Sequence, residues 1–301
     1  MRIAVTGASS FIGKAFIECA AKQGHECIAI VRKRGTIGIS RLCTLVQRME
    51  MEEYADLGRN FPDIDCLVCL AWDGTRGSAR MDAERQRKNY EWSLSGIKSM
   101  LHAGCRLIVT AGSQAEYGSY NGIITENTKL CPNTEYGKYK AMLYSDAAYA
   151  CEQSGAVLIE PRYFSLYGPG DFKKSLIMDT VKRMLKNEPC ELTQCIQMWD
   201  FLHISDASNA LIKLIECENA KGAYNFGSGD CRKLYEFIEE MRTLLKSRSK
   251  LNYGKIAYPD TGMVSIRPDI TKLKDTIGWK PEISFAEGIM GIAEVLKDED
   301  G

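Results

Sequence analysis

Along this chain, short apolar runs of strand length alternate with longer segments whose apolar positions recur every three or four residues. Residues 3–5 form the first run, and Phe11, Ile12, Ala15, Phe16, Cys19 and Ala20 then repeat at helical spacing up to about residue 23. Gly24 closes that helix, and residues 27–31 are apolar again, so the opening reads strand, turn, helix, strand. The pattern predicts further strands near 42–46, 66–71, 106–110, 156–159 and 224–227. Helices are expected over 51–57, 79–103, 136–153, 176–185 and 206–216, with a short strand over 199–204. Strands that alternate with helices through the whole first half argue for a parallel, doubly wound α/β sheet.

No repeat or low-complexity linker separates the two halves. The expected organisation is therefore a dinucleotide-binding unit over 1–165, to which 196–228 returns, with 166–195 and 229–301 as a smaller, interleaved C-terminal lobe. The charged tail 297–301 is not a retention signal.

Composition narrows the function. In 301 residues Lys plus Arg and Asp plus Glu both total 39, so no basic field is available for nucleic acid. No apolar run reaches the roughly 20 residues that cross a bilayer, and the start reads as a strand rather than a signal peptide, so no membrane role and a cytoplasmic location are expected. The 12 cysteines are scattered through apolar segments and read as reduced. Cys66 and Cys69 lie in one predicted strand, where residues three apart face opposite ways. His25, His102 and His203 have no ligand spacing, so no metal is expected.

Three stretches suggest chemistry. Gly7-Ala8-Ser9-Ser10-Phe11-Ile12-Gly13 places small residues and unpaired backbone N–H groups at a helix N-terminus, where a pyrophosphate binds well. The second strand ends in Arg32-Lys33-Arg34, with no acid to grip a ribose 2′-hydroxyl. Either this is a solvated loop, or Arg32 meets a 2′-phosphate, which favours NADP(H) over NAD(H). Tyr136 and Lys140 stand four apart on a predicted helix and share a face; a cation there would make the phenol more acidic. Ser113 follows a predicted strand. The glycine-punctuated loop after residue 71 is either turn chemistry or a lid, in which Trp72 and Arg76 would touch substrate.

Taken together, these residues resemble the extended short-chain dehydrogenase/reductase family, the NAD-dependent epimerase/dehydratase branch that acts on nucleotide-sugars. The family's Thr-Gly-x-x-Gly-x-x-Gly appears as Thr6 to Gly13, with Ser10 in place of the middle glycine, and Tyr-x-x-x-Lys follows at Tyr136 and Lys140. Further matches in order are Asn89, Arg162 to Pro169, Asp200 to Asp206, Tyr224 to Gly229 and Arg267-Pro268-Asp269.

The resemblance implies a Rossmann-type fold. It implies Ser113, Tyr136 and Lys140 as catalytic residues, with cofactor contacts from Gly7, Ser9, Ser10, Phe11, Ile12, Gly13, Arg32, Leu70, Ala71, Asn89 and Tyr163. For the substrate it implies Trp72, Arg76, Gln114, Ser165 and, at a diphosphate, Arg267. By analogy with relatives, a homodimer through the two long helices is expected.

Dehydratases of the family carry Asp-Glu after the catalytic Thr, and Gln114-Ala115 here argue against that reaction. The reading is an NADPH-dependent reductase of a keto group on a nucleotide-linked sugar, such as a 4-keto-6-deoxyhexose. The alternative is a 4-epimerase that retains NAD. A third reading, a non-catalytic cofactor sensor on the same fold, is weakened because Tyr136 and Lys140 are both present. Trp199 and Ser165 depart from the arginine and asparagine that many relatives carry.

Overall fold

The computed structural model describes residues 1–34, 38, 40–258 and 263–300. Seven strands run parallel in one sheet: β1 (Arg2–Thr6), β2 (Glu26–Val31), β3 (Leu45–Arg48), β4 (Cys66–Cys69), β5 (Leu107–Thr110), β7 (Val157–Tyr163) and β12 (Gly222–Phe226). Their order is β3-β2-β1-β4-β5-β7-β12, and the short β6 (Gly112–Ser113) pairs with β7. The chain reverses direction across the sheet between β1 and β4, which opens a crevice at their carboxyl ends.

Residue alternation builds a core on each face. Ile3, Val5, Cys27, Ala29 and Cys66 point to the side covered by α1 (Phe11–Lys22) and α6 (Ile204–Glu216). Ala4, Ile28, Ile30, Leu67 and Cys69 point to the side covered by α2 (Leu57–Asn60), α3 (Ala83–His102) and α4 (Glu135–Gln153). Cys66 and Cys69 are thus buried thiols in separate cores, and burial raises both, Cys69 to about 12.

A third core lies apart from the sheet, where Tyr167, Phe201, Phe237 and Phe285 bring their rings within 4.8–5.9 Å of one another along most edges. It is enclosed by α5 (Leu176–Leu185), α7 (Leu234–Leu244) and α9 (Phe285–Asp300), after α8 (Thr271–Ile277). The short pairs β8 (Leu166–Tyr167) with β11 (Leu202–His203), β9 (Cys190–Glu191) with β14 (Leu251–Asn252), and β10 (Met198–Trp199) with β13 (Arg232–Lys233) complete it.

Buried polar side chains brace this part against the sheet. Asp200 accepts from the N–H groups of Ser228 (2.6 Å) and Gly229 (2.8 Å). Asp206 accepts from Glu282 and Ile283, and Asn225 donates to Ile124 O at 2.8 Å.

Some expected elements shift. The predicted strand over 199–204 is two short pieces, because His203 takes the extended N-cap conformation and α6 starts at Ile204. The long helix begins at Ala83, capped by Asp82, and Gly77–Met81 before it is a 3-10 turn; Met51–Asp56 is also 3-10. The third strand lies at Leu45–Arg48, and β7 runs on through Pro161 to Tyr163. The tail continues α9 to Asp300, and Gly301 lies outside the described residues.

Candidate active site

At the carboxyl end of β1 the chain must turn tightly. Gly7 has φ +67°, and a Cβ there would lie 2.7 Å from Ala71 N and 2.8 Å from Leu70 C. Gly13 is equally pressed, with Ala8 Cα 2.8 Å from where its Cβ would stand. Ser10, where the family motif has glycine, is the N-cap of α1: its Oγ accepts from Gly13 N at 3.1 Å. Phe11 and Ile12 then occupy the first helical turn, whose N–H groups have no intrahelical partner, and no acid stands there. This backbone cradle, with Leu70 beside it just past β4, fits the pyrophosphate of a dinucleotide.

Past β2, Arg32 is exposed. Lys33 beside it is held by Glu53 at 2.8 Å, and Arg48 donates to Lys33 O at 2.7 Å.

A cleft of about 640 Å³ runs from Phe11 and Ile12 past the ends of β4 to β7 into the third core. Ser113, Gln114, Tyr136, Lys140, Tyr163 and Ser165 line it, as do Leu70, Trp72 and Arg76. Helix α4 presents Tyr136 and Lys140 on its inner face, because Thr134 caps it and Gly137 packs close to Ala115.

Burial pushes the Tyr136 phenol up; a hydrogen bond with Ser113 and the charges of Arg80 and Arg76 pull it down, while Glu116 pushes it up. Lys140 lies on the same face, one turn further along α4. Its ammonium donates to Ala111 O at 2.7 Å and lies 3.8 Å over the Trp72 ring, 5.9 Å from the Tyr136 ring centre. Burial lowers it to about 8, against the pull of Glu116 and Glu160.

Beneath Ser113 lies a buried ionic cluster. Arg162 donates to Glu116 (3.0 Å) and Glu160 (2.8 Å), and Glu116 accepts from Ser113 N at 2.7 Å. Two buried carboxyls share one guanidinium, and burial pushes both up, Glu160 well above the usual carboxylate range. The cluster fixes the backbone that carries Ser113.

On the far side the segment after β4 folds over the site. Trp72 Nε1 donates to Gln86 Oε1 at 2.6 Å, and Gln86 Nε2 donates to Gly74 O and Ala79 O. Arg76 pairs with Asp171 at 3.1 Å and faces Phe172. Arg80 lies over the Tyr136 ring at 4.8 Å.

Eight expected contacts are not in the cleft lining: Gly7, Ser10, Gly13 and Ala71, which belong to the turn beside it, and Ser9, Arg32, Asn89 and Arg267. Asn89 is buried and both its polar groups hold Asp73: Oδ1 accepts from its N–H and Nδ2 donates to its C=O. Arg267 is exposed, its C=O bonded to Ile124 N and its side chain near the Cys231 thiol. Ser9 is half-buried in the turn, and Arg32 stands at the far end of β2. Conversely, sequence reasoning missed Arg80 and Gln86. Neither belongs to a motif, and Arg80 meets Tyr136 only through the tertiary fold. Among the described residues no cluster of His, Cys, Asp or Glu could hold a metal, and no helix is long and apolar enough to cross a membrane.

Comparison with known proteins agrees with this geometry. The model of the NAD dependent epimerase/dehydratase family matches residues 3–227. CDP-abequose synthase of Salmonella muenchen is 24% identical over 297 residues, covering 96% of this chain and 95% of that protein. dTDP-4-dehydro-6-deoxyglucose reductase of Escherichia coli is 24% identical over 198 residues, covering 64% and 62%. In fold, the chain superposes on UDP-glucose 4-epimerase of Thermotoga maritima, solved with UDP-glucose, with a TM-score of 0.90 at 18% identity over the full length of both chains. The chain belongs to the NAD dependent epimerase/dehydratase family, and it is an enzyme of the NAD(P)-dependent oxidoreductase type.

Proposed function

We propose that the enzyme reduces a keto group on a nucleotide-linked sugar, such as a 4-keto-6-deoxyhexose, with NADPH. One observation carries the reading: the cleft holds a phenol and a hydroxyl for a carbonyl oxygen, but no carboxyl pair for eliminating water. Asp171 is the one carboxylate among its described lining residues, and Arg76 and Phe172 N already hold it. Gln114 and the buried Ala115 occupy the positions after Ser113 where a dehydratase has its acids.

A bound reduced nicotinamide supplies the hydride. Tyr136 gives its proton to the carbonyl oxygen, Ser113 donates a hydrogen bond to the same oxygen, and Lys140 holds the nicotinamide ribose. Phe11 N–H and Ile12 N–H hold the pyrophosphate, with Leu70, Ala71 and Tyr163 around the dinucleotide. Arg32 supports the 2′-phosphate; residues 196–228 return to the dinucleotide-binding unit of 1–165, and 166–195 with 229–301 form the substrate lobe. Ser165, Trp199 and Phe172 meet the sugar nucleotide. The likeness to a relative named for reducing a 4-dehydro-6-deoxy sugar supports this substrate class.

The second reading is a 4-epimerase with retained NAD. Its support is that Ser113, Tyr136 and Lys140 serve that reaction equally and that Lys33, one of the three cations after β2, is already engaged by Glu53. For self-association the face offered by α3 and α4 carries exposed Met142 and Tyr149, and sedimentation would test it.

The deciding experiment combines mass spectrometry of the dinucleotide that copurifies with NADPH oxidation against a panel of nucleotide-linked 4-keto sugars. Stoichiometric consumption of NADPH is expected. Tightly held NAD, with epimers interconverting and no net cofactor turnover, would establish the second reading instead.

A further inference from the structure

The buried cluster beneath Ser113 holds one carboxyl more than its charge requires. Glu116 has no exposure, Glu160 1% and Arg162 2%, so all three groups are out of water. A single carboxylate would balance the Arg162 guanidinium, and Glu160 does this at 2.8 Å. Arg162 is held from a further side by Tyr117, whose hydroxyl accepts from Nη1 at 3.0 Å and donates to Asn225 Oδ1 at 2.7 Å. A second buried carboxyl against the same cation is unfavourable unless it has work of its own.

The bonds of Glu116 show what that work is. Its Oε2 accepts from Arg162 Nε at 3.0 Å, but its Oε1 accepts from Ser113 N at 2.7 Å. Ser113 stands in extended conformation, φ −150° and ψ 147°, as the cap of a 3-10 turn, and its Oγ accepts from Ala115 N at 3.2 Å. The two ends of the serine are therefore fixed together: Glu116 holds the main chain, and the turn takes a lone pair of the hydroxyl. The hydroxyl hydrogen is left to point into the cleft. Gly112 makes the approach possible, since a Cβ there would stand 2.8 Å from Glu160 Cγ and 2.9 Å from Arg162 Cγ.

We propose that Glu116 is a positioning residue that aligns the Ser113 hydroxyl on the carbonyl oxygen of the substrate, while Glu160 serves as the charge partner of Arg162. The inference rests on Ser113 as the hydrogen-bond donor of the reaction proposed above. It divides two acids of one cluster between two tasks, and that division can be tested.

The test is a double-mutant cycle between Glu116→Met and Ser113→Ala, with Glu160→Gln beside it. Glu116→Met leaves Arg162 paired with Glu160, so no lone buried charge remains. Ser113→Ala is expected to lower kcat about 10²- to 10³-fold, as loss of one oxyanion donor does. Glu116→Met should lower kcat about tenfold with KM little changed, yet cost less than about twofold once Ser113 is alanine, because no hydroxyl remains to be aligned. Glu160→Gln should keep kcat within about twofold of the starting enzyme, since it does not touch Ser113 N.

A tenfold loss that persists in the Ser113→Ala background would overturn the proposal, as would an equal loss in Glu160→Gln or none in Glu116→Met. If circular dichroism shows that Glu116→Met does not fold, Glu116→Gln takes its place in the cycle: its one acceptor oxygen cannot serve both Ser113 N and Arg162 Nε. The cycle is run in whichever reaction the enzyme performs, NADPH oxidation or epimer interconversion, so loss of the reductase reading alone leaves Glu116 on trial. An undiminished kcat in Ser113→Ala would remove the role of Ser113 and the proposal with it. Without any substrate, hydrogen exchange at the Ser113 amide should speed up about tenfold or more in Glu116→Met and not in Glu160→Gln, and unaltered exchange in the former would also overturn the proposal.

Discussion

The two ends of the cleft are built from different materials. At the cofactor end the working surface is main chain: Gly7 and Gly13 leave no room for a side chain, and α1 turns N–H groups outward. At the substrate end the surface is made by side chains gathered from distant parts of the chain, such as Trp72, Arg80, Phe172 and Trp199. A backbone surface binds what all members of a cofactor class share, whereas a side-chain surface can be altered one residue at a time. The first end is therefore constrained by sterics, and the second by the identity of the substrate.

The largest effect that would sharpen this contrast is chemical. Tyr136→Phe should lower kcat by roughly 10²- to 10⁴-fold while leaving the dinucleotide dissociation constant unchanged, since the proton donor belongs to the substrate end. Steady-state turnover beside a fluorescence titration of the dinucleotide reads both, and a matching loss of cofactor affinity would break the division.

Next comes the backbone end. In Gly7→Ala the new Cβ meets Leu70 and Ala71 at a positive φ, so the expected outcome is a loss on the order of 2 kcal/mol in urea unfolding, together with loss of dinucleotide binding. A stable variant with unchanged cofactor affinity would show that the turn is not sterically fixed.

The smallest effect concerns selectivity. Arg32→Ala should weaken NADPH binding about tenfold, roughly 1.4 kcal/mol, and leave NADH binding alone. Equal losses for the two cofactors would remove Arg32 from the phosphate contact.

The same contrast explains what could be read in the chain. Apolar runs and helical spacing identified the parallel sheet, because its inner strands are buried on both faces and each helix on one. The turn at Gly7 was legible for the same reason as any tight turn: glycine is demanded where the backbone has no alternative.

Several sequence motifs supply braces. Asp200, Asp206 and Asn225 hold backbone across the junction between the sheet and the third core, and Asn89 holds the loop at Asp73. A motif records that a residue type is needed, and a buried acid that secures two N–H groups is as demanding as one that moves a proton. Arg80 left no local signal, since its segment is a 3-10 turn without periodicity and its partner lies 56 positions away in the chain, at Tyr136. The shared face of Lys140 and Tyr136 followed from helical spacing, whereas the Trp72 ring 3.8 Å from the ammonium was invisible to that spacing.

Gln86 has one further implication. Its single amide fastens Trp72, Gly74 and Ala79, so three points of the loop between β4 and α3 are gathered on one buried side chain, beside the hold of Asn89 on Asp73 and of Arg76 on Asp171. For a protein engineer this makes residues 72–86 a cartridge. A loop of another length and charge, ended by the same glutamine, could be inserted above Tyr136 to retune the enzyme, with the dinucleotide cradle left intact.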